Sequence, residues 1–424
     1  MQAQVALGSA VRVRRPWTAT LLRFLAVAGP GIVVAFADTE AGSITTAATS
    51  GAQFGMKLIL LQLLLIVPLF VVQEMTVRLG TATGKGHARL IREHYGLGWA
   101  WVSLGTMLVT NIAALVTEFA GIAGAALIFG VNPTYLVIAA AIVLISVIFS
   151  GTYKRAEIAA LGLCLVELLF IPAAFSAHAH PMTILTQGLL GSQPLGNHTY
   201  LLLIASNIGA VIMPWMIFYQ QSATVDKGLK LKDLIPARVD TAIGAVLTQI
   251  IMIAIIVTTA ATLYVRHIPV SDAAQAALAL EPLVGRFAGV AFGAALIGAS
   301  LLGAFVVSLA TAWAFGEAFN WPCSLNHPCS KAKKFYGLYA GCVALAAAFV
   351  LIPKLPLIQL TVDVEAFNGF VLPIVLGFLL VMINDKRIIG DRTNSFAANA
   401  IALGLSAVIV ALGVWMAATT LLHA

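Results

Sequence analysis

The chain has 424 residues, of which 60% are hydrophobic and only 10% charged. A soluble domain of that size could not cover so much apolar side chain, because its outside must be largely polar. Apolar runs of membrane-spanning length, roughly 20 residues each, recur from Leu21 almost to the C-terminus and leave no room for a soluble catalytic domain.

In chain order, Met1 to Pro16 is basic and lacks a small-residue cleavage site after it, so 1–20 reads as a cytoplasmic tail. Charged and Pro/Gly clusters then divide the chain into eleven spans, 21–50, 55–79, 99–130, 134–152, 156–177, 198–225, 237–265, 283–318, 335–353, 358–384 and 395–421. Open strands cannot cross lipid, so these are expected to be helices of an all-α integral membrane protein. With the N-terminus inside, only Lys57, Arg266, Arg286 and Lys354 of the 24 basic residues fall outside, as the positive-inside rule requires. The net charge of +7 therefore belongs at the cytoplasmic headgroups of the plasma membrane and needs no nucleic-acid partner. The spans form a first five-helix half (21–177), an extracytoplasmic loop (178–197), a second five-helix half (198–384) and an eleventh helix (395–421).

Spans 1 and 6 open the two halves, and both carry breaks. Span 1 contains Gly29-Pro30-Gly31 and then Asp38, Glu40 and Gly42, two costly carboxylates in a weakened stretch of helix. In span 6, Pro214 has no N–H to give to the carbonyl near Ala210. Breaks at matching positions of two halves point to a transporter site near the bilayer midplane. Asp38 and Glu40 offer hard oxygens, the unwound backbone offers carbonyls at Ala35 and Ala210, and Met213 offers a soft sulfur suited to transition metals. With no Lys or Arg nearby, a cation is the simpler occupant.

Other groups extend this picture. Glu365 in span 10 is a candidate to touch the ion or its water, and Glu118 in span 3 to relay protons or hold a helix contact. Gln220 and Gln221 either line an inner vestibule or bond across helices, and Glu167 has no evident role. Glu74 lies four residues before Arg78, the spacing of an intrahelical ion pair. The eight histidines fall in loops or near span ends and form no site. Cys164 and Cys342 are isolated, while Cys323 and Cys329 share a loop in which a pair or metal role is disfavoured by the reducing cytosol. Neither a nucleotide-binding motif nor a metalloprotease pairing of the H-E-x-x-H kind occurs, so no ATP-driven pump or enzyme is expected and no cofactor is needed.

Several segments resemble the NRAMP family of divalent metal transporters along nearly the whole chain. Ser50-Gly51-Ala52-Gln53-Phe54-Gly55-Met56-Lys57-Leu58 is similar to that family's segment after helix 1, and Arg78-Leu79-Gly80 with Thr83-Gly84-Lys85 to its loop after helix 2. The resemblance implies a leucine-transporter fold with two inverted five-helix repeats plus one helix, and helices 1 and 6 broken. It maps the family's helix-1 motif D-P-G-N onto Asp38-Thr39-Glu40-Ala41 and its helix-6 motif M-P-H-N onto Met213-Pro214-Trp215-Met216. The Asp and Met ligands match, Ala41 stands where an Asn ligand is usual, and the carbonyl ligands map to Ala35 and Ala210. Glu118 takes the first acid position of the helix-3 proton route with Gly121 at the second, and Gln220 or Gln221 replaces a histidine. The loss of the Asn oxygen at Ala41, with the new acid at Glu40, resembles the branch that includes NRAMP-related magnesium transporters. The resulting expectation is a monomeric carrier moving Mn²⁺ or Mg²⁺ inward by alternating access, with or without proton coupling. The alternatives are an organic-solute symporter of the same architecture and an uncoupled uniporter or channel.

Overall fold

The computed structural model describes residues 29–149, 162, 165, 167–177, 179–268 and 286–423. The expected tail, the start of span 1, most of span 5 with Cys164, and His178 lie outside the described residues. The stretch 269–285, where span 8 was expected to begin, lies outside them too. Every regular element that is described is helical.

Short helix α1 (Pro30–Ala37) starts on a proline, whose missing N–H costs nothing in a first turn. After three non-helical residues come α2 (Ala41–Phe54), α3 (Ile59–Thr83), α4 (His87–Tyr95), α5 (Leu97–Ile128) and α6 (Pro133–Phe149). Next are α7 (Phe170–Ser176), α8 (His198–Val211), α9 (Pro214–Asp226) and α10 (Leu234–Thr259), the last ending in a π-helical turn, Ala260–Tyr264. The chain closes with α11 (Arg286–Phe319), α12 (Lys333–Val350), α13 (Leu357–Asn384), the single turn α14 (Lys386–Ile389) and α15 (Phe396–His423). Among the described residues, eight helical stretches are long and apolar enough to cross a membrane, and the 17-residue α6 is shorter. The expected breaks both occur, so span 1 is the pair α1–α2 and span 6 the pair α8–α9.

Packing places those pairs in the interior. Helix α5 runs along α11, α8 along α13, and α10 lies against α1, α2 and α3. Without a hydrophobic force between helices in lipid, such contacts depend on close van der Waals approach over small residues. Gly31 and Gly244 supply one: a Cβ on Gly244 would stand 2.7 Å from the Ala35 side chain and 3.0 Å from the Gly31 carbonyl oxygen. Large apolar side chains such as Leu403, Val414 and Trp415 of α15 instead remain exposed, as lipid-facing residues do.

Candidate substrate site and its gates

The first break forms because three consecutive residues leave the helical ladder. Asp38 ends α1 with its N–H on Val34, Thr39 turns its hydroxyl back onto the Phe36 carbonyl (2.8 Å), and Glu40 is extended as the N-cap of α2. The second forms at Ile212–Met213. Pro214 begins α9 and forces Met213 into extended backbone (ψ 147°), as a residue before proline must be. Both α1 and α8 therefore end in the interior, with carbonyls freed from the helical ladder and the negative end of the helix dipole turned inward.

Asp38, Thr39, Glu40, Met213, Glu118 and Glu365 are all completely buried, or within 1% of it. Asp38 Oδ2 accepts a bond from Gln73 Nε2 at 3.0 Å, and the same nitrogen lies 3.2 Å from Met216 Sδ. Gln73 of α3 thus ties the first break to the second. A further tie runs from the Ser43 hydroxyl to the Ala210 carbonyl (2.8 Å), while Thr248 of α10 donates to the Ala35 carbonyl (2.7 Å). Each of these carbonyls has a second lone pair, so the bond leaves it able to face an ion. The Met213 sulfur accepts the Trp215 indole N–H at 2.7 Å.

The acids separate into two neighbouring groups. Asp38 keeps company with Gln73 and Met216, whereas Glu40 lies beside Glu118 of α5 and Glu365 of α13. A Cβ on Gly42 would stand 2.2 Å from Glu365 Oε1 and 2.5 Å from Glu40 Oε1, so those two oxygens meet over the glycine. Glu118 Oε2 accepts the Ala41 N–H (3.3 Å), which is the part Ala41 plays here, through its backbone. Both carboxylate oxygens of Glu40, and Oδ1 of Asp38, make no hydrogen bond within the protein. Among the described residues no three His, Cys, Asp or Glu side chains form a ready metal shell, so any ion held here draws on backbone carbonyls and thioethers as well.

Sequence reasoning did not assign Gln73, Met216, Thr248 or Glu167. Glu167 hydrogen-bonds the Thr39 hydroxyl in the break itself. A glutamine and a threonine inside apolar spans were the available signals for the first and third. Gln220 and Gln221, for which two roles stood open, bond across helices. Gln220 joins Thr76 (3.0 Å) and Thr241 (3.3 Å), and Gln221 joins His87 (3.1 Å) and the Lys85 carbonyl (2.9 Å). His87 begins α4 just past a span end, where it is fully buried and edge-on to Phe218, and burial pushes its pKa down to about 4. Cys323 and Cys329 are free thiols.

Two sets of contacts close the end of the molecule near α4. On α10, Asp240 Oδ2 accepts the N–H groups of Gly31 (2.8 Å) and Gly29 (3.3 Å), capping α1 from another helix. Asp240, Gly244 and Thr248, four residues apart, thereby hold both ends of α1 along one face of α10. Glu74 pairs with Arg78 (3.0 Å), as its spacing suggested, and also with Arg238 (2.6 Å), while Arg78 donates to the Arg392 and Thr393 carbonyls. At the opposite end a cavity of about 660 Å³ opens between the α5–α6 and α12–α13 connections and reaches down to Thr45, Gly121 and Thr361.

Two inward-ending half-helices, buried carboxylates beside them and a cavity at the end opposite α4 fit a helical membrane transporter of the leucine-transporter-like class. The fold comparison agrees. The crystal structure of the Eremococcus coleocola manganese transporter superposes with a TM-score of 0.71 at 16% identity, covering 95% of this chain and 88% of that one. MhsT in complex with L-phenylalanine superposes at 0.65, also at 16% identity, covering 95% and 99%. In sequence, residues 31–419 match the family model described as Nramp, natural resistance-associated macrophage protein-like. The divalent metal cation transporter MntH of Klebsiella pneumoniae is 27% identical over 412 residues, 94% of this chain and 95% of that protein. The chain belongs to the Nramp family, and it is a transporter rather than an enzyme.

Proposed function

We propose that this protein carries divalent metal cations, Mn²⁺ foremost, into the cytoplasm through the paired breaks. The observation that carries the reading is the tie made by Gln73 between the Asp38 carboxylate and a thioether, beside the carbonyl ends of α1 and α8. A hard anionic oxygen, a soft sulfur and inward dipole ends together suit a borderline transition-metal cation. The names of the MntH relative and of the Eremococcus structure support the same class of substrate. Asp38 is the central ligand in this reading, with Met213 and the Ala35 and Ala210 carbonyls around it, and Glu40 and Glu365 acting directly or through water. The same fold holds L-phenylalanine in MhsT, but here the break presents carboxylates and, among the described residues, no buried cation beside them to receive a substrate carboxylate.

The polar ties near α4 and the cavity at the other end support an outward-facing state with its cytoplasmic gate shut. Transport then requires α1 to leave Asp240 and Thr248, and the N-terminus to lie in the cytoplasm. Glu118, adjacent to Glu40 and bonded to the break, is the group placed to pass a proton. A second substrate reading, Mg²⁺ carried with part of its water, is favoured by Ala41 in place of an amide and by the additional carboxyl of Glu40.

Uptake into proteoliposomes decides between them. Mn²⁺ uptake that excess Mg²⁺ leaves intact, and that Asp38→Ala abolishes in a protein of unchanged chromatographic profile, supports the first reading. Strong Mg²⁺ competition supports the second. Undiminished uptake in Asp38→Ala overturns both.

A further inference from the structure

A groove of about 450 Å³ lies on the outer surface between α5 and α13. Tyr95, Trp99 and Val102 form one wall, and Ile374, Phe378 and Val381 the other. Gly377 lies between them, and a Cβ added there meets nothing within 4 Å, so the floor is open. The walls are apolar and turned outward: Trp99 is 57% exposed and Val381 56%. Both helices are membrane-spanning by length and composition, so the groove faces acyl chains rather than water.

One end of the groove is polar. Tyr95 closes it, and its hydroxyl is shielded from solvent and has no hydrogen-bond partner in the protein. Asp385 and Arg387 lie within electrostatic reach of that hydroxyl, and the His94 ring sits 6.5 Å from the Tyr95 ring. Asp385 engages Nε and Nη2 of Arg387, which leaves Nη1 with its donors unspent. Lys386, next in the chain, is exposed and forms no ion pair among the described residues. The apolar trough, crossed by the edge-to-face contact of Trp99 and Phe378 (ring centroids 6.0 Å), therefore ends at Tyr95, near the cationic side chains that follow α13.

The geometry points to a binding site for one anionic phospholipid, with an acyl chain along the α5–α13 groove and its phosphate on the exposed Lys386 and Arg387. A zwitterionic lipid would fill the trough equally well but would bring its own cation to these side chains, so the charge selects the class. The site also has a route to function. Helix α5 carries Glu118 and α13 carries Glu365, so the occupant touches the outer faces of two helices whose inner faces meet at the substrate site. The binding claim does not depend on which ion is carried.

The test uses the full chain in phosphatidylcholine bilayers containing phosphatidylglycerol with brominated acyl chains, which quench nearby tryptophan. The Trp99 signal is isolated by subtracting the same titration of Trp99→Phe. Phosphatidylglycerol should quench Trp99 with a relative affinity about fivefold above that of brominated phosphatidylcholine, the equivalent of one basic residue facing an anionic lipid. The exposed double variant Lys386→Gln/Arg387→Gln should bring that ratio close to one without changing the melting temperature. Gly377→Leu should lower quenching by both lipids. A wild-type ratio near one, or a preference that survives the double variant, overturns the proposal. If Gly377→Leu does not fold, the double variant alone decides.

Discussion

Replacing Asp240 with asparagine keeps the shape of the side chain and removes its charge. In the folded protein this carboxylate receives two N–H groups at the start of α1, at 2.8 and 3.3 Å, in a site from which water is excluded. A hydrogen bond to a charged acceptor contributes about 1 kcal/mol more than a neutral one. The interaction of a carboxylate with a helix N-terminus contributes roughly another 0.3–1 kcal/mol. Allowing for the longer second bond and for the desolvation that a neutral amide escapes, Asp240→Asn should weaken the clasp on α1 by at most about 2 kcal/mol, an upper bound of roughly 30-fold on the shift between clasped and released states. The assay is labelling of a cysteine placed at Val33, buried in α1, in a background where the four native cysteines are serine. A membrane-impermeant thiol reagent applied from the cytoplasmic side should react at least several-fold faster in Asp240→Asn. Gly244→Ala should act in the same direction, because its new methyl would collide with Ala35 and the Gly31 carbonyl. Equal labelling rates in all three proteins, with only the melting temperature altered, would show that the clasp is ordinary packing and that α1 is not the moving gate.

The remaining expectations concern the site and its surroundings. Gly42→Ala should reduce uptake more than tenfold in a folded protein, since overpacking costs about 1–3 kcal/mol and here would displace the Glu365 carboxylate; unchanged uptake would separate Glu365 from the transport route. Met213→Leu should weaken Mn²⁺ and Cd²⁺ uptake far more than Mg²⁺ uptake, read as the change in KM, whereas equal losses would reduce Met213 to packing. Buried His87, held at a pKa of about 4 against an ordinary 6.5, contributes stability that is complete above pH 6.5 and is lost as pH falls toward 4. The loss approaches about 3 kcal/mol once the pH is below both values. Melting curves in detergent should therefore decline less steeply over that range for His87→Gln than for the wild-type protein, and parallel curves would contradict the assignment.

The breaks were legible because they are local chemistry. Pro214 and the small, polar run around Asp38 disrupt their helices wherever they are placed, and the period of charged clusters located most of the spans. The Glu74–Arg78 pair could likewise be read from one turn of helix, but not Arg238, which arrives from α10 to share the same carboxylate. What stayed hidden was set by packing. Gln73 finds Asp38 and Met216, and Asp240 finds Gly31, across 35, 143 and 209 positions, and nothing in the composition of either neighbourhood ranks those partners above others. His87 shows the same limit: its place near a span end could be read, but not the neighbouring helix that covers it. Glu167 could be seen as an unexplained acid, but its contact with Thr39 required the fold.

The carbonyls of Ala35 and Ala210 belong to the main chain, so no side-chain substitution removes them. Alanine scanning passes over these atoms without a signal, and codon changes at either position leave the oxygen in place. Only alterations of path, such as an added methyl at Gly244 or the loss of Pro214, can move them. Part of the candidate coordination sphere is thus inherited with the backbone rather than spelled in residue identities, and it can persist in structures that share the fold at 16% identity.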